Sequence, residues 1–528
     1  MPHHPCSMKT CFQHPALPPV LTGLLLALCA PGWGLYPLAW VALVPLLTQC
    51  WQATPRQAAW RFFLAGSIYH LMVLHWLMTN VFWAGGWAFT AYAALGLTLS
   101  FLYWAPLGAL FAWMRPRLHS FAAPMTLAVL WAAMEMLQAR LFTGFGWAAL
   151  GYWQGPGLYA VQWAALGGVT LVGLFIVLTN AFVALAWRER GWRVPGLAAA
   201  VAVLAFAHGG GSMTLGEAEH GDEPYYAGIY QSNYPQEMKW DRSYFADMVE
   251  RAADMSATLA QHEPVDLFVW PEALVMDDLG VGPIGGPVRT LTRSTGVPVF
   301  TGISRRHPET DRYRNSAVMV DAEGNAAAYY DKLHYVPFGE YVPFLEYLTF
   351  LDAFVPAGAG ADPGDGPVVI ENGGRGLGPL ICFEVLFSPM SLDLRDLGAD
   401  FLVVVTNLAW FGASSAIPQE FEIARMRAIE TRLPLVHASN TGISGVFDPF
   451  GRFETIAYFE GRNGQLLEWR PPPAQTIMQR GIGAVPVPLP AAQALPAGPR
   501  YFPWLALALA VLLVLAAWVR PRPPAPAP

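Results

Sequence analysis

Charge is scarce in this chain: Asp, Glu, Lys and Arg supply 13% of its 528 residues, against 54% hydrophobic. A soluble protein of this length needs roughly twice that charged share to cover its surface, so that class is excluded. Basic excess is missing as well, because 31 Lys and Arg face 38 Asp and Glu. A net charge of -7 offers no field for a phosphate backbone, which argues against nucleic acid as a partner. Five Cys are too few for a disulfide framework, and the 12 His show no spacing suited to a metal. No metal and no cofactor is expected. The same figures exclude disorder and collagen.

What is abundant is apolar sequence, and it is concentrated in residues 16–210 and 501–519. A bilayer core takes about 20 apolar residues per helix. The first region divides into segments at 16–33, 35–50, 62–80, 88–113, 121–138, 158–186 and 194–210, and 501–519 makes an eighth. Arg56 and Arg61 follow the second segment, Arg115 and Arg117 the fourth, Arg188, Arg190 and Arg193 the sixth, and Arg520 and Arg522 the eighth. Basic residues stay on the cytoplasmic side. Both termini are therefore predicted cytoplasmic, with the large loop between the last two spans on the opposite side, which in a bacterial inner membrane is the periplasm. Leu28 before Cys29 does not suit a lipoprotein cleavage site, and the first segment reads as an uncleaved span. Glu135, in the apolar run 129–137, is predicted to reach the membrane interface.

The organisation that follows is a tail (1–15), a membrane domain of about seven helices (16–217), an extramembrane domain (218–495), and a last span with a short tail (496–528). In the extramembrane part, strand candidates at 227–230, 266–270, 297–303, 316–320, 378–383, 401–406 and 435–439 alternate with helical stretches at 244–261 and 421–432. Such alternation predicts a layered α/β domain. Pro471 to Pro473 and the stretch 486–499 read as a linker back to the membrane.

Cys382 stands alone in this domain, since Cys6, Cys11, Cys29 and Cys50 all precede it in the tail and first spans. By itself it is either a small buried hydrophobe or a reactive thiol. Two other runs bear on the choice. Val-Trp-Pro-Glu-Ala, residues 269–273, places Glu272 at the carboxyl end of a hydrophobic strand, where α/β domains put their active sites. The Pro- and Gly-stiffened stretch 331–343 supplies Lys332 and Glu340. A thiol needs a base, because the thiolate is the reactive form. Glu272 can take its proton and later protonate a leaving group, Lys332 can stabilise thiolate and oxyanion, and Glu340 and Glu384 can orient the Lys or a second reactant.

With these residues in that chain order, the insert resembles the nitrilase (carbon-nitrogen hydrolase) superfamily, and the chain with its flanking spans is similar to bacterial apolipoprotein N-acyltransferases. The resemblance rests on Leu-Phe-Thr-Gly-Phe-Gly-Trp ending at Trp147, Met-Lys-Trp-Asp around Trp240, Trp-Pro-Glu ending at Glu272, Lys332 with Val-Pro-Phe-Gly-Glu ending at Glu340, Ile-Cys-Phe-Glu ending at Glu384, Asn-Leu-Ala-Trp-Phe-Gly through Trp410 and Phe411, and Ala-Arg-Met-Arg-Ala ending at Ala428. It implies an α-β-β-α sandwich beside a multi-span helical membrane domain, and a catalytic triad of Glu272, Lys332 and Cys382. Glu340, Glu384 and Trp240 take supporting roles; Trp147, Trp410 and Phe411 are candidates for contact with lipid. The implied reaction moves an acyl chain from a phospholipid, phosphatidylethanolamine being the expected donor, through a Cys382 thioester to the α-amino group of a diacylated lipoprotein. Phe383 replaces the family's usual Tyr and Leu408 its usual Asp, removing a hydroxyl beside the nucleophile and a carboxylate near Trp410. A membrane-anchored amidase, a paralogue with another acceptor, and a silent lipid-binding scaffold are the competing readings. Nothing suggests assembly, so a monomer is expected.

Overall fold

The computed structural model describes residues 15–80, 85–216, 224–276, 285–306, 313–337, 339–341, 362–461, 464–489 and 498–520. Cys6, Cys11, Phe338, Pro343, the stretch 490–497 and Arg522 lie outside the described residues. The chain divides into two compact units, residues 1–215 with 497–528, and residues 216–496.

The first unit is helical. Among the described residues, four of its helical stretches are long and apolar enough to cross a membrane: Trp87–Arg117, Ala160–Arg188, Arg190–Thr214 and Gly498–Val519. Leu17–Cys29 and the run Tyr36–Cys50 are shorter and apolar; Pro55–Val73 and Ala122–Gln138 complete the set. Local chemistry sets these boundaries. Thr54 caps Pro55–Val73 in a capping box with Gln57, and Pro55 stands at the first helical position, where its missing N–H costs nothing. The run Tyr36–Cys50 is broken into short pieces, and two of its backbone N–H groups find side-chain acceptors: Leu43 donates to Asn180 Oδ1 (2.9 Å) and Leu46 to Thr22 Oγ1 (3.1 Å). Where water is excluded, a broken helix needs such partners.

Glu135 corrects its sequence reading. It is buried within the unit, where Oε1 accepts from the Trp131 indole and the Leu150 N–H, both at 3.0 Å. Satisfying these donors favours the inward orientation over the reach to the interface.

The second unit is a two-sheet sandwich. Among the described residues, eight strands run in the order β13-β12-β14-β1-β2-β3-β4-β5 and six in the order β11-β10-β9-β8-β7-β6. Their ranges are β1 Tyr225–Gln231, β2 Leu267–Val269, β3 Val299–Arg306, β4 Tyr313–Val320, β5 Ala326–Asp331, β6 Ile370–Asn372, β7 Arg375–Ile381, β8 Phe401–Thr406, β9 Leu435–Ser439, β10 Gly445–Phe447, β11 Phe453–Thr455, β12 Tyr458–Glu460, β13 Leu466–Glu468 and β14 Gly481–Val487. Strands β1, β2 and β3 are parallel neighbours, as are β7, β8 and β9.

Alternation places the two faces of each strand in different cores. In β2, Leu267 and Val269 join Ala227, Ile229, Ile381 and Val403 between the sheets. Phe268 between them turns outward to Met248, Val249, Val288 and Leu291 of α1 (Phe245–Ala260) and α2 (Gly286–Thr295). Helices α3 (Ser388–Asp396) and α4 (Ala416–Thr431) cover the other sheet, giving the four-layer α-β-β-α arrangement.

The linker reading of 486–499 is corrected over its first residues: Pro486 belongs to β14, an interior strand paired to β1 opposite Tyr226. On its other edge β14 meets β12 only at Gly481 and Ile482, so the N–H that Pro486 lacks has no partner strand to miss.

Candidate active site

Strand β7 ends on Ile381, and the next residue, Cys382, stands at φ +54°, in the left-handed region that residues other than Gly seldom occupy. Such a conformation costs of order 1–3 kcal/mol and persists where its surroundings over-determine it. Here the surroundings centre on Glu384, a fully buried residue. Its carboxylate accepts from Ile381 N (2.7 Å), Leu333 N (2.6 Å), His334 N (3.1 Å) and the Tyr330 hydroxyl (2.8 Å). One carboxylate thus fastens the turn after β7 to the turn after β5, on the opposite sheet. Burial pushes its pKa up to about 7, and these donors, with the Lys332 ammonium, oppose that rise. Behind the Cys382 turn, Arg427 on α4 donates to Leu386 O at 3.4 Å.

Lys332 follows β5 directly and is fully buried. Its Nζ lies 2.7 Å from Glu340 Oε1 and 3.5 Å from Glu272 Oε1. Asn315 on β4 organises all three: its carbonyl accepts the Lys332 N–H (2.9 Å), and its Nδ2 faces Glu272 Oε1 (2.8 Å) and Glu340 Oε1 (3.4 Å). Glu340 Oε2 closes its own loop by accepting from Val336 N at 2.7 Å. Next to Lys332, Asp331 is held by Arg305, Arg314 and Ser316, which fixes the backbone carrying the Lys.

Glu272 leaves β2 through Pro271 and precedes Ala273, also left-handed at φ +49°. A Cβ on Gly302 of the neighbouring strand would lie 2.6 Å from the Glu272 Cα, so only glycine lets the chain pass this close. The electrostatics are mutual. Burial works against the charged form of Lys332, but Glu340, Glu272 and Cys382 outweigh it and hold the pKa well above the usual lysine range. Burial and the Glu272 carboxylate raise the Cys382 thiol, against the pull of Lys332. Cys382 therefore rests as a thiol, beside a carboxylate able to take its proton and an ammonium able to meet a developing anion. The residue remains partly exposed.

Trp240 and Trp410, far apart in sequence, meet with ring centroids 5.0 Å apart. A buried polar network brings their segments together: Asn407 Nδ2 donates to Gln236 Oε1 (2.8 Å), and Asn440 Nδ2 donates to Asn407 Oδ1 (2.9 Å) and Tyr234 O (2.8 Å). Trp240 is 48% exposed, and Trp410 and Phe411 are half-buried. Trp147 belongs to the other unit, where it is buried against Trp76 at 4.9 Å between centroids. Leu408 is buried, while Asn407 caps the turn Leu408–Phe411 by accepting from Ala409 N, so a side chain other than the missing carboxylate organises this loop. Phe383 packs edge-on against Phe387, which stacks on His334 at 3.8 Å.

Two family models match the chain, the apolipoprotein N-acyltransferase N-terminal domain over residues 22–182 and carbon-nitrogen hydrolase over residues 227–457. The apolipoprotein N-acyltransferase of Geobacter metallireducens is 32% identical over 82% of this chain and 85% of its own length. The chain belongs to the apolipoprotein N-acyltransferase family. Its counterparts from Azotobacter vinelandii and Pseudomonas putida are 30% and 31% identical, each over more than four-fifths of both chains. Among solved structures, an amidase of the nitrilase superfamily from Nesterenkonia AN1 aligns at 20% identity over 52% of this chain and 93% of its own, with a TM-score of 0.36.

Of the residues singled out in the sequence, Glu272, Lys332, Cys382, Glu340 and Glu384 converge, and Trp240 and Trp410 pair. Sequence reasoning missed Asn315, Tyr330 and Lys239. Lys239 stands in the very Met-Lys-Trp-Asp motif from which Trp240 was chosen, but on a single helical turn nothing in the sequence says which side chain faces inward.

Proposed function

We propose that this member of the apolipoprotein N-acyltransferase family transfers an acyl chain from a phospholipid to the α-amino group of a diacylated lipoprotein, with Cys382 as the nucleophile. The observation that carries the reading is the convergence of a carboxylate, an ammonium and a thiol on one pocket, within a chain whose first unit supplies apolar helices. In the first half-reaction the Cys382 sulfur attacks the ester carbonyl and Glu272 takes the thiol proton. Lys332 donates to the oxyanion. Collapse breaks the ester C–O bond, and Glu272 returns its proton to the departing lysophospholipid oxygen. In the second, the uncharged acceptor amine attacks the thioester, Glu272 takes an N–H proton, and the sulfur leaves and is reprotonated as an amide forms. Glu340 and Asn315 hold Lys332 and Glu272 in register throughout.

The donor is phosphatidylethanolamine, and a monomer suffices. The flanking Arg residues support an orientation with both termini cytoplasmic and residues 218–495 periplasmic. Both substrates are held in a membrane by their acyl chains, which is what a catalytic domain joined to apolar helices suits.

The deciding experiment is mass spectrometry of the intact protein and its peptides after incubation with phosphatidylethanolamine. A hydroxylamine-labile acyl adduct on Cys382 is expected, absent in Cys382→Ala and strongly reduced in Glu272→Gln. Adding a diacylated lipopeptide should discharge it, with the lipopeptide gaining the chain. An adduct lost to water alone would favour an amidase or esterase, and absence of any adduct would overturn the reading.

A further inference from the structure

A second lysine lies behind the triad. Lys239 is 1% exposed, and its Nζ donates to the main-chain oxygen of Glu272 at 2.7 Å. Among the described residues it enters no salt bridge, unlike Lys332 with its two carboxylates. Burying an ammonium strips it of its hydration, and one carbonyl is meagre compensation. The remaining compensation comes from the pocket. Burial pushes the Lys239 pKa down to about 8, opposed by the charges of Glu272 and Cys382.

The titratable groups gathered there are Glu272, Glu340, Lys332, Lys239 and Cys382, with Glu384 on the turn after Cys382 and Tyr335 beside Lys332. Once Glu272 holds the thiol proton, Lys332 answers Glu340, and Lys239 supplies the further positive charge that meets the new anion on sulfur or oxygen. Without Lys239 that anion would have to share the Lys332 ammonium with Glu340. The hydrogen bond also falls on the residue immediately before the left-handed turn at Ala273, where the Glu272 backbone is tightly enclosed.

We propose that Lys239 is a positioning residue of the acyl-transfer site, pinning the Glu272 main chain and supplying the second positive charge that lets Cys382 become anionic. This rests on reading Glu272 and Cys382 as base and nucleophile.

The test is alkylation of Cys382 by iodoacetamide in the full-length protein in detergent, quantified by peptide mass spectrometry across a pH series. Lys239→Met should slow the reaction about tenfold near pH 7. The gap should narrow above about pH 9, where the wild-type amine has lost its own proton. Lys239→Arg should restore the rate near neutrality and keep it above that pH, because a guanidinium does not titrate there. An unchanged rate in Lys239→Met, or a loss by one factor at every pH, would overturn the proposal in favour of a packing role. Should Lys239→Met fail to fold, Lys239→Gln, which keeps a donor and removes the charge, carries the same expectations. Glu272→Gln separates the two levels. If it leaves the alkylation profile untouched, the base assignment fails and the proposal with it; if it alters the profile while the Lys239 variants do not, only the proposal fails.

Discussion

At the scale of single residues, the site turns on how few side chains hold many others. Asn315 illustrates this, since its amide nitrogen bridges two carboxylates while its backbone carbonyl holds the next strand at Lys332. Substituting Ala leaves the backbone bond and removes the bridge. A hydrogen bond to a charged group contributes about 1.5–3 kcal/mol, so Asn315→Ala should lower kcat by about 10- to 100-fold. KM for the phospholipid should change little, because the amide acts on Glu272 and Glu340 and not on the lipid. Steady-state kinetics on detergent-solubilised protein with a fluorescent phospholipid donor would check the split. A raised KM with unchanged kcat would mean that Asn315 handles substrate. The residues legible beforehand were those whose chemistry is loud: a thiol alone in its domain, and a Glu after Trp-Pro at a strand end. An Asn among polar strand residues gives no such signal, and a Lys beside a Trp on one helical turn gives no inward direction.

At the scale of elements, strands with continuous apolar runs were readable, and β8 and β9 fall within the predicted intervals at both ends. Strand β14 was not, because Gly481 and Gly483 give no strand signal and the stretch from Pro486 reads as a linker; it is the close approach of β12, and the unpaired edge beside Pro486, that make those residues suitable. Strand β9 also carries a titrating contact invisible in the sequence. His437 is fully buried, with Nδ1 2.7 Å from Ile443 O and Nε2 3.0 Å from a carboxylate oxygen of Glu420 on α4. Both ring nitrogens face acceptors, which suits the doubly protonated imidazolium. Burial lowers its pKa, but Glu420 and the Ile443 carbonyl outweigh that and raise it above the ordinary 6.5. A group whose folded pKa is raised contributes stability that is complete below the unfolded value and disappears as pH rises through the folded one. The thermal unfolding midpoint in detergent should therefore fall as pH rises above the ordinary histidine value of 6.5, and His437→Gln should flatten that part of the profile. An identical slope in the variant would exclude the His437–Glu420 pair as its source.

At the scale of the whole molecule, the two units answer different physical demands. Long, exposed apolar helices such as Arg190–Thr214 and Gly498–Val519 suit a lipid solvent. The sandwich needs none: both of its hydrophobic cores are built wholly from residues between 225 and 489. A fragment spanning 216–496 should consequently fold by itself, with a cooperative thermal transition and α/β circular dichroism. It should also keep the chemistry of its thiol, since Glu272, Lys332, Glu340, Glu384 and Cys382 all lie within it, so iodoacetamide should label Cys382 at a rate close to that in the full chain. Transfer from phospholipid vesicles to a lipopeptide is expected to fall steeply, because covalent attachment to apolar helices is what holds the sandwich at the membrane where its substrates are concentrated. Comparing alkylation with transfer in the fragment and in the full chain separates the two contributions. Loss of both would mean that the site depends on the helical unit for its geometry, whereas retention of both would leave those helices without a part in the reaction.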